Sequence, residues 1–140
     1  MRGAHLIKHW STTQTTVALS SAEAELTGIV KGAAQSMGLR SLATDLGLSF
    51  QIEVKTDAAA AIGICRRRGL GKVRHLHTAD LWIQDKIRTK DILLSKVHGA
   101  VNPSDMLTKH VDRQTLEKHL RTLGLREEHG RPDLAPSLET

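Results

Sequence analysis

Short strand patterns alternate with helical ones along this chain, and that alternation limits its fold more than any other feature. Gln51 to Thr56 reads as a strand, and Asp91 to His98 reads as another, rich in Ile, Leu and Val. Between them, Asp57 to Arg67 reads as a short helix built on Ala58 to Ala61, Ile62 and Ile64. Gly69 to Lys72 reads as a loop, and His77 to about Arg88 as a helix anchored by Leu81, Ile83 and Ile87. Upstream, His5 to Trp10 and Thr15 to Leu19 read as two strands around the polar turn Ser11-Thr12-Thr13-Gln14. The β-branched Thr15, Thr16 and Val17 support the second. Ser20 to about Leu46 reads as a long helix, with Leu26, Ile29, Val30, Ala33 and Met37 at helical spacing. Ser20 and Glu23 match a capping box, and Gly47 suits a C-cap. Gly28, Gly32 and Gly38 weaken that helix but would permit close packing on a sheet. Asn102 opens a helix with Pro103 at its first position, and Asp112 to Leu123 reads as a last helix stopped by Gly124. The order β-β-α-β-α-α-β-α-α predicts an α/β protein, one domain over residues 1–125. Arg126 to Thr140, with two prolines and little apolar pattern, reads as a flexible tail.

At 140 residues the chain is one domain's worth. The aromatic residues are Trp10, Phe50 and Trp82, so the core must be aliphatic. Base-stacking platforms are scarce, which argues against a single-strand binder that depends on them. A net charge of +5 points to a polyanionic partner, nucleic acid first. Cys65 is the only cysteine, so no intramolecular disulfide is possible and a reducing compartment is expected. No signal peptide is visible, and no apolar run approaches the roughly 20 residues that span a bilayer. A cytoplasmic or nuclear location is expected, with no membrane partner.

Three acidic residues stand at junctions. Glu25 lies near the start of the long helix, Asp57 ends the strand Ile52 to Asp57, and Asp105 follows Asn102-Pro103-Ser104. Carboxylates delivered from such places can converge on divalent metal ions, and two ions can clamp a phosphodiester for in-line hydrolysis. Local explanations compete. Asp57 could cap the next helix, and Glu25 or Asp105 could simply answer a helix dipole. Glu23 already has a task in the capping box, whereas Glu25 has none. A basic segment, Arg66-Arg67-Arg68 through Lys72, Arg74 and His75, carries no acid and suits phosphate contacts, or else is a solvated face or a nuclear localisation signal. His75 and His77 with Asp80 have no cysteine partners and fit no standard zinc spacing. His98, after the last strand, is either a surface histidine or a proton shuttle. Trp10 and Trp82 read as core or half-buried anchors.

Four stretches carry a resemblance. Trp10-Ser11 with Thr16-Val17-Ala18-Leu19-Ser20-Ser21-Ala22-Glu23-Ala24-Glu25, then Val54 to Ala58, then Val73-Arg74-His75-Leu76, then Asp105-Met106-Leu107-Thr108-Lys109 resemble, in order, the ribonuclease H domain of copia-type retrotransposon polyproteins. The agreement runs from about residue 5 to about residue 112. The resemblance implies a mixed sheet flanked by helices and cleavage of the RNA strand of RNA–DNA hybrids with magnesium or manganese. It further implies Glu25, Asp57 and Asp105 as catalytic, metal-binding carboxylates. The family uses a fourth, earlier aspartate on its first strand, and Met1 to Leu19 contains no Asp or Glu. The resemblance therefore implies an N-terminally truncated domain whose activity depends on that strand. Its partners would be hybrid or other nucleic acid, with an upstream reverse transcriptase segment or a protein filling an open sheet edge. Ala58-Ala59 replaces polar residues after Asp57, and His77 replaces an aspartate. Two other functions are compatible with these residues: a non-catalytic nucleic-acid-binding remnant, or a structural subunit that reuses the scaffold.

Overall fold

Ser20 starts the longest element. In the computed structural model, which describes residues 6–14, 17–69 and 78–125, the Ser20 hydroxyl accepts the Glu23 N–H and opens α1, Ser21–Asp45. Glu23 reaches back to the Leu19 N–H at 2.8 Å, one residue earlier than a standard capping box. At the other end Gly47 takes φ +73, which a side chain would resist. Its N–H meets Thr44 O and the Leu48 N–H meets Ala43 O, the two bonds of a Schellman stop.

The described residues fall into two compact units, one drawn from residues 12–102 and the other from residues 1–11 with 103–140. The larger unit is mixed α/β. After α1 come β1, Ile52–Thr56; α2, Ala59–Arg66; α3, Thr78–Arg88; and β2, Ile92–Lys96. Its sheet has two strands among the described residues, paired in parallel with Ile52 opposite Ile92 and Thr56 opposite Lys96. Parallel neighbours need a long crossover, and α2 with α3 supplies it. Ile52, Thr56, Ile92 and Leu94 are buried while Glu53, Lys55 and Leu93 are exposed, so one face is covered. That face packs on Leu26, Ile29 and Ala33 of α1, Ala61, Ile62, Ile64 and Cys65 of α2, and Ile83 of α3. The core is aliphatic, as expected. Trp82 packs at its margin, while Trp10 is exposed.

Several expectations need correction. Residues 6–14 and 17–19 form no helix or strand, so neither N-terminal strand is present where described; His5, Thr15 and Thr16 lie outside the described residues. A mixed sheet is therefore not formed by the described strands, which are parallel. Side-chain bonds tie these stretches down instead: Gln14 Nε2 donates to Ala24 O at 2.8 Å, and Lys31 Nζ donates to Thr12 Oγ1 at 2.6 Å. Gly28, Gly32 and Gly38 do not pack on the sheet; a β-carbon at each would meet open space. The apolar stripe of α1 runs through Leu26, Ile29 and Ala33, off the glycine positions. Leu81 is exposed, and the buried stripe of α3 is Asp80, Ile83 and Gln84.

Strand β2 is anchored at its entry. Asp91 receives Lys86 Nζ at 2.9 Å, and Arg40 Nη1 and Gln51 Nε2 each donate to its carbonyl at 3.1 Å. The Lys86 hydrogen bond and its charge, aided by Arg40, hold the Asp91 carboxyl below its ordinary value. Lys90 bridges helix and strand at φ 62.

Cys65 is buried, and burial together with the Asp80 carboxylate pushes its thiol up to about 11. A protonated, enclosed thiol is a poor nucleophile. At pH 8, reaction with a disulfide reagent is expected only as fast as the chain opens, and completely in denaturant. Stoichiometric labelling within seconds of mixing, under native conditions, would contradict this burial.

In the smaller unit, the helix expected from Asn102 is a short 3-10 helix, Pro103–Leu107. Asp112 caps α4, Arg113–Thr122, accepting the Thr115 N–H at 3.0 Å and its hydroxyl at 2.6 Å. That hydroxyl, then the backbone N–H, lowers the Asp112 carboxyl. Gly124, at φ 68, ends α4 with a second Schellman pair through Arg121 O and Leu120 O. Ser11 Oγ donates to Leu107 O at 3.4 Å. A cavity of about 260 Å³ is lined by Leu6, Trp10, Pro103, Met106, Leu107 and Leu123. No helix among the described residues is long and apolar enough to cross a membrane, and the expected tail from Arg126 lies outside them.

Candidate functional site

The carboxyl ends of β1 and β2 form one edge of the larger unit, and open α/β sheets bind ligands beyond such edges. Asp57 follows the last residue of β1 directly. The Val97 N–H reaches Thr56 O at 2.9 Å, so the chain leaving β2 passes beside it. A β-carbon on Gly99 would stand 3.5 Å from Asp57 Oδ2, which places this turn against the carboxylate. The capping alternative for Asp57 fails. The cap position of α2 is Ala58, with no side-chain bond, and the Thr56 hydroxyl accepts the Ala58 N–H. Asp57 is half-buried and makes no ion pair among the described residues.

His98 reaches the same edge, two residues past β2. Its Nδ1 accepts the Ala100 N–H at 3.3 Å and caps the turn Gly99–Val101. That bond leaves Nε2 as the atom able to carry a proton in the neutral ring.

Glu25 is exposed and lies just past the first turn of α1, whose acidic residue is Glu23. Glu23 is occupied by Leu19, while Glu25 makes no hydrogen bond or ion pair among the described residues. Asp105 belongs to the smaller unit, where both its oxygens receive Lys109 Nζ at 3.1 Å. Among the described residues, no group of three or more His, Cys, Asp or Glu side chains stands ready to hold a metal ion. Glu25 and Asp57, without a partner among the described residues, are oxygen donors of the hard type that magnesium takes; Asp105 would have to exchange an ammonium partner for one.

The arginine run lies at the end of α2. Arg66 and Arg68 are exposed and Arg67 is half-buried. Arg66 Nη2 donates to Leu94 O at 3.0 Å, so part of Arg66 serves the strand. Lys72, Arg74 and His75 lie outside the described residues, as does His77. A residue not foreseen positions the run. Gln84, buried on α3, donates to Ile64 O at 3.0 Å and Gly69 O at 3.1 Å, and accepts the Gly69 N–H at 3.0 Å. All three polar positions of that amide are used, and Gly69 takes φ +71 to meet it. A cavity of about 300 Å³ opens beside the clamp, lined in part by Arg66, Arg67, Arg68, Leu81 and Arg88. The only sequence signal for Gln84 was its place in the helical stripe with Asp80 and Ile83.

The chain is similar to the Retrovirus-related Pol polyprotein from transposon TNT 1-94 of Nicotiana tabacum, 27% identical over 114 residues. The match takes in 80% of this chain and 9% of that polyprotein's length. The similarity is thus to one region of a retrotransposon Pol polyprotein. No protein-family model matches the chain, and no solved structure does.

Proposed function

We propose that this chain is a ribonuclease H-like domain of retrotransposon origin that acts on the RNA strand of RNA–DNA hybrids. The observation that carries the proposal is Asp57, a carboxylate with no ion pair among the described residues, where two parallel strands end beside Gly99. Its sequence context, and those of Glu25 and Asp105, follow the order of the copia-type domain, and the Pol similarity agrees with that origin. Glu25, Asp57 and Asp105 are the carboxylates that would hold magnesium or manganese. Such ions, when bound, activate a water and stabilise the leaving oxygen. The protein's own part is to hold oxygen donors in place and to move a proton through His98 Nε2 near the scissile phosphate.

Binding would rest on Arg66, Arg67 and Arg68 with Lys72, Arg74 and His75, through both backbones, and preference for hybrid on groove shape and 2′-hydroxyls. Replacing Arg66, Arg67 and Arg68 with alanine is expected to weaken binding to every sequence alike. The log–log dependence of affinity on salt should flatten, by up to about one unit per lost phosphate contact. Fluorescence anisotropy over a salt series reads this slope, and an unchanged slope would return the run to a solvated face.

Cleavage is tested on a labelled hybrid with magnesium, using the chain alone and the chain fused to an upstream hairpin that carries an aspartate. Strong cleavage by the fusion, with little by the chain alone, is the expected result. Failure of a well-folded fusion to cleave would favour a nucleic-acid-binding module without chemistry. The Lys109 ammonium on both Asp105 oxygens is the observation on that side.

A further inference from the structure

Arg67 has a feature that general attraction for a polyanion does not use. Its Nε and Nη2 are closed off from water and have no hydrogen-bond partner among the described residues. Buried donors left unmade are costly, and charged ones most of all. These two atoms form one edge of the guanidinium fork, whose parallel N–H bonds match two oxygens of a single oxyanion.

Arg67 also lines the cavity of about 300 Å³ at the end of α2. That wall carries Arg66, Arg67, Arg68 and Arg88 against Asp85, so four positive charges less one negative leave a surplus of three. Asp85 is already paired with Arg88, and Arg66 is partly engaged by Leu94 O. A water's share of liquid volume is about 30 Å³, so the space admits a tetrahedral oxyanion with room to spare. Gln84 fixes the backbone of Gly69, which keeps the cavity's rim in place before any ligand arrives.

We propose that this cavity is a seat for one phosphate group, gripped side-on by Arg67. On binding, the guanidinium, whose Nε and Nη2 are enclosed in the free protein, rotates to bring that edge to the cavity and donates from both atoms to two phosphate oxygens. Arg66 and Arg68 supply further charge. The surplus of positive charge favours phosphate over a carboxylate. The proposed function bears on this inference only as the source of the phosphate, a nucleic-acid backbone.

The intact chain is titrated with inorganic phosphate, followed by phosphorus NMR and by thermal melting. Saturable binding is expected. Arg67→Lys should bind about tenfold more weakly or worse, because an ammonium cannot give two parallel bonds, while Arg68→Lys stays within about twofold. Arg67→Met gives a second measure. Without phosphate it should melt at or above the wild-type temperature, since it removes a buried, unpartnered charge, and phosphate should then add nothing. Wild-type phosphate affinity in Arg67→Lys overturns the seat. So does an Arg67→Met chain that melts far below wild type without ligand, because the guanidinium would then have a structural partner. Equal affinity for acetate overturns the ligand class. Displacement of inorganic phosphate by a short RNA–DNA hybrid supports the seat and makes a backbone its source; hybrid binding alongside phosphate supports it for a small phosphate ester. If phosphate binds and hybrid does not, the seat stands and the nucleic-acid function falls.

Discussion

Ile83→Ala is expected to destabilise the larger unit by about 2–5 kcal/mol. Ile83 is 0% exposed and belongs to the one aliphatic cluster that also holds residues of α1, α2 and both strands. No aromatic ring stands nearby to fall into the gap except half-buried Trp82 and Phe50. The loss combines the transfer free energy of the removed carbons with a term for the cavity left behind. For a unit of this size each kcal/mol moves the melting temperature by roughly 4–8 °C. A fall of about 10 °C or more should follow. Leu93→Ala is the control, because Leu93 points to the uncovered face of β2 and is 45% exposed. Its cost should stay within about 0.5 kcal/mol. Urea midpoints compare the two, and similar shifts for both would mean the covered face is misassigned.

Asp57→Asn should abolish hydrolysis without unfolding the chain. In the hairpin fusion, the hybrid cleavage rate is expected to fall by about a hundredfold or more. A metal clamp supplies several kcal/mol of transition-state stabilisation, and each 1.36 kcal/mol is a factor of ten. The amide keeps the shape of the side chain but lacks its charge. Stability should change little, because Asp57 caps no helix and makes no ion pair among the described residues. Hybrid affinity in magnesium-free buffer should be unchanged, which separates chemistry from binding. Retention of most of the cleavage rate would exclude Asp57 from the metal site.

Local chemistry was legible in the sequence, and distant pairing was not. The ends of α1 follow from Ser20, Glu23 and Gly47, because caps and stops are satisfied within a few residues. The strands at Ile52 and Ile92 were readable from β-branched and aliphatic runs, and only their ends moved. Thr15 and Thr16 lie outside the described residues, but the β-branched Val17 is exposed and in no strand, since strand preference reflects packing against neighbours more than an intrinsic habit. In α3 a search for apolar spacing selects Leu81, whereas the buried stripe contains Asp80 and Gln84. A polar residue on a buried stripe is recognisable only once its partner is known, and the partner of Gln84 is Gly69, fifteen residues earlier. Asp57 and His98 were nameable from their strands, but their shared edge depends on the parallel register of β1 and β2. Pro103 suited a helix start, yet the turn closes after Leu107 because Thr108 and Lys109 both bond back to Asp105 O. A helix that short cannot repay its own nucleation.

The amide of Gln84 is directional. It gives two protons to Ile64 O and Gly69 O and takes one from Gly69. A glutamate of the same length could still receive that proton, but when ionised it has none to return. Drift at this buried position would therefore disturb the orientation of the arginines while leaving every arginine in place. The chain divides the labour: Arg66, Arg67 and Arg68 carry the charge, and a neutral residue on the neighbouring helix decides where it is presented.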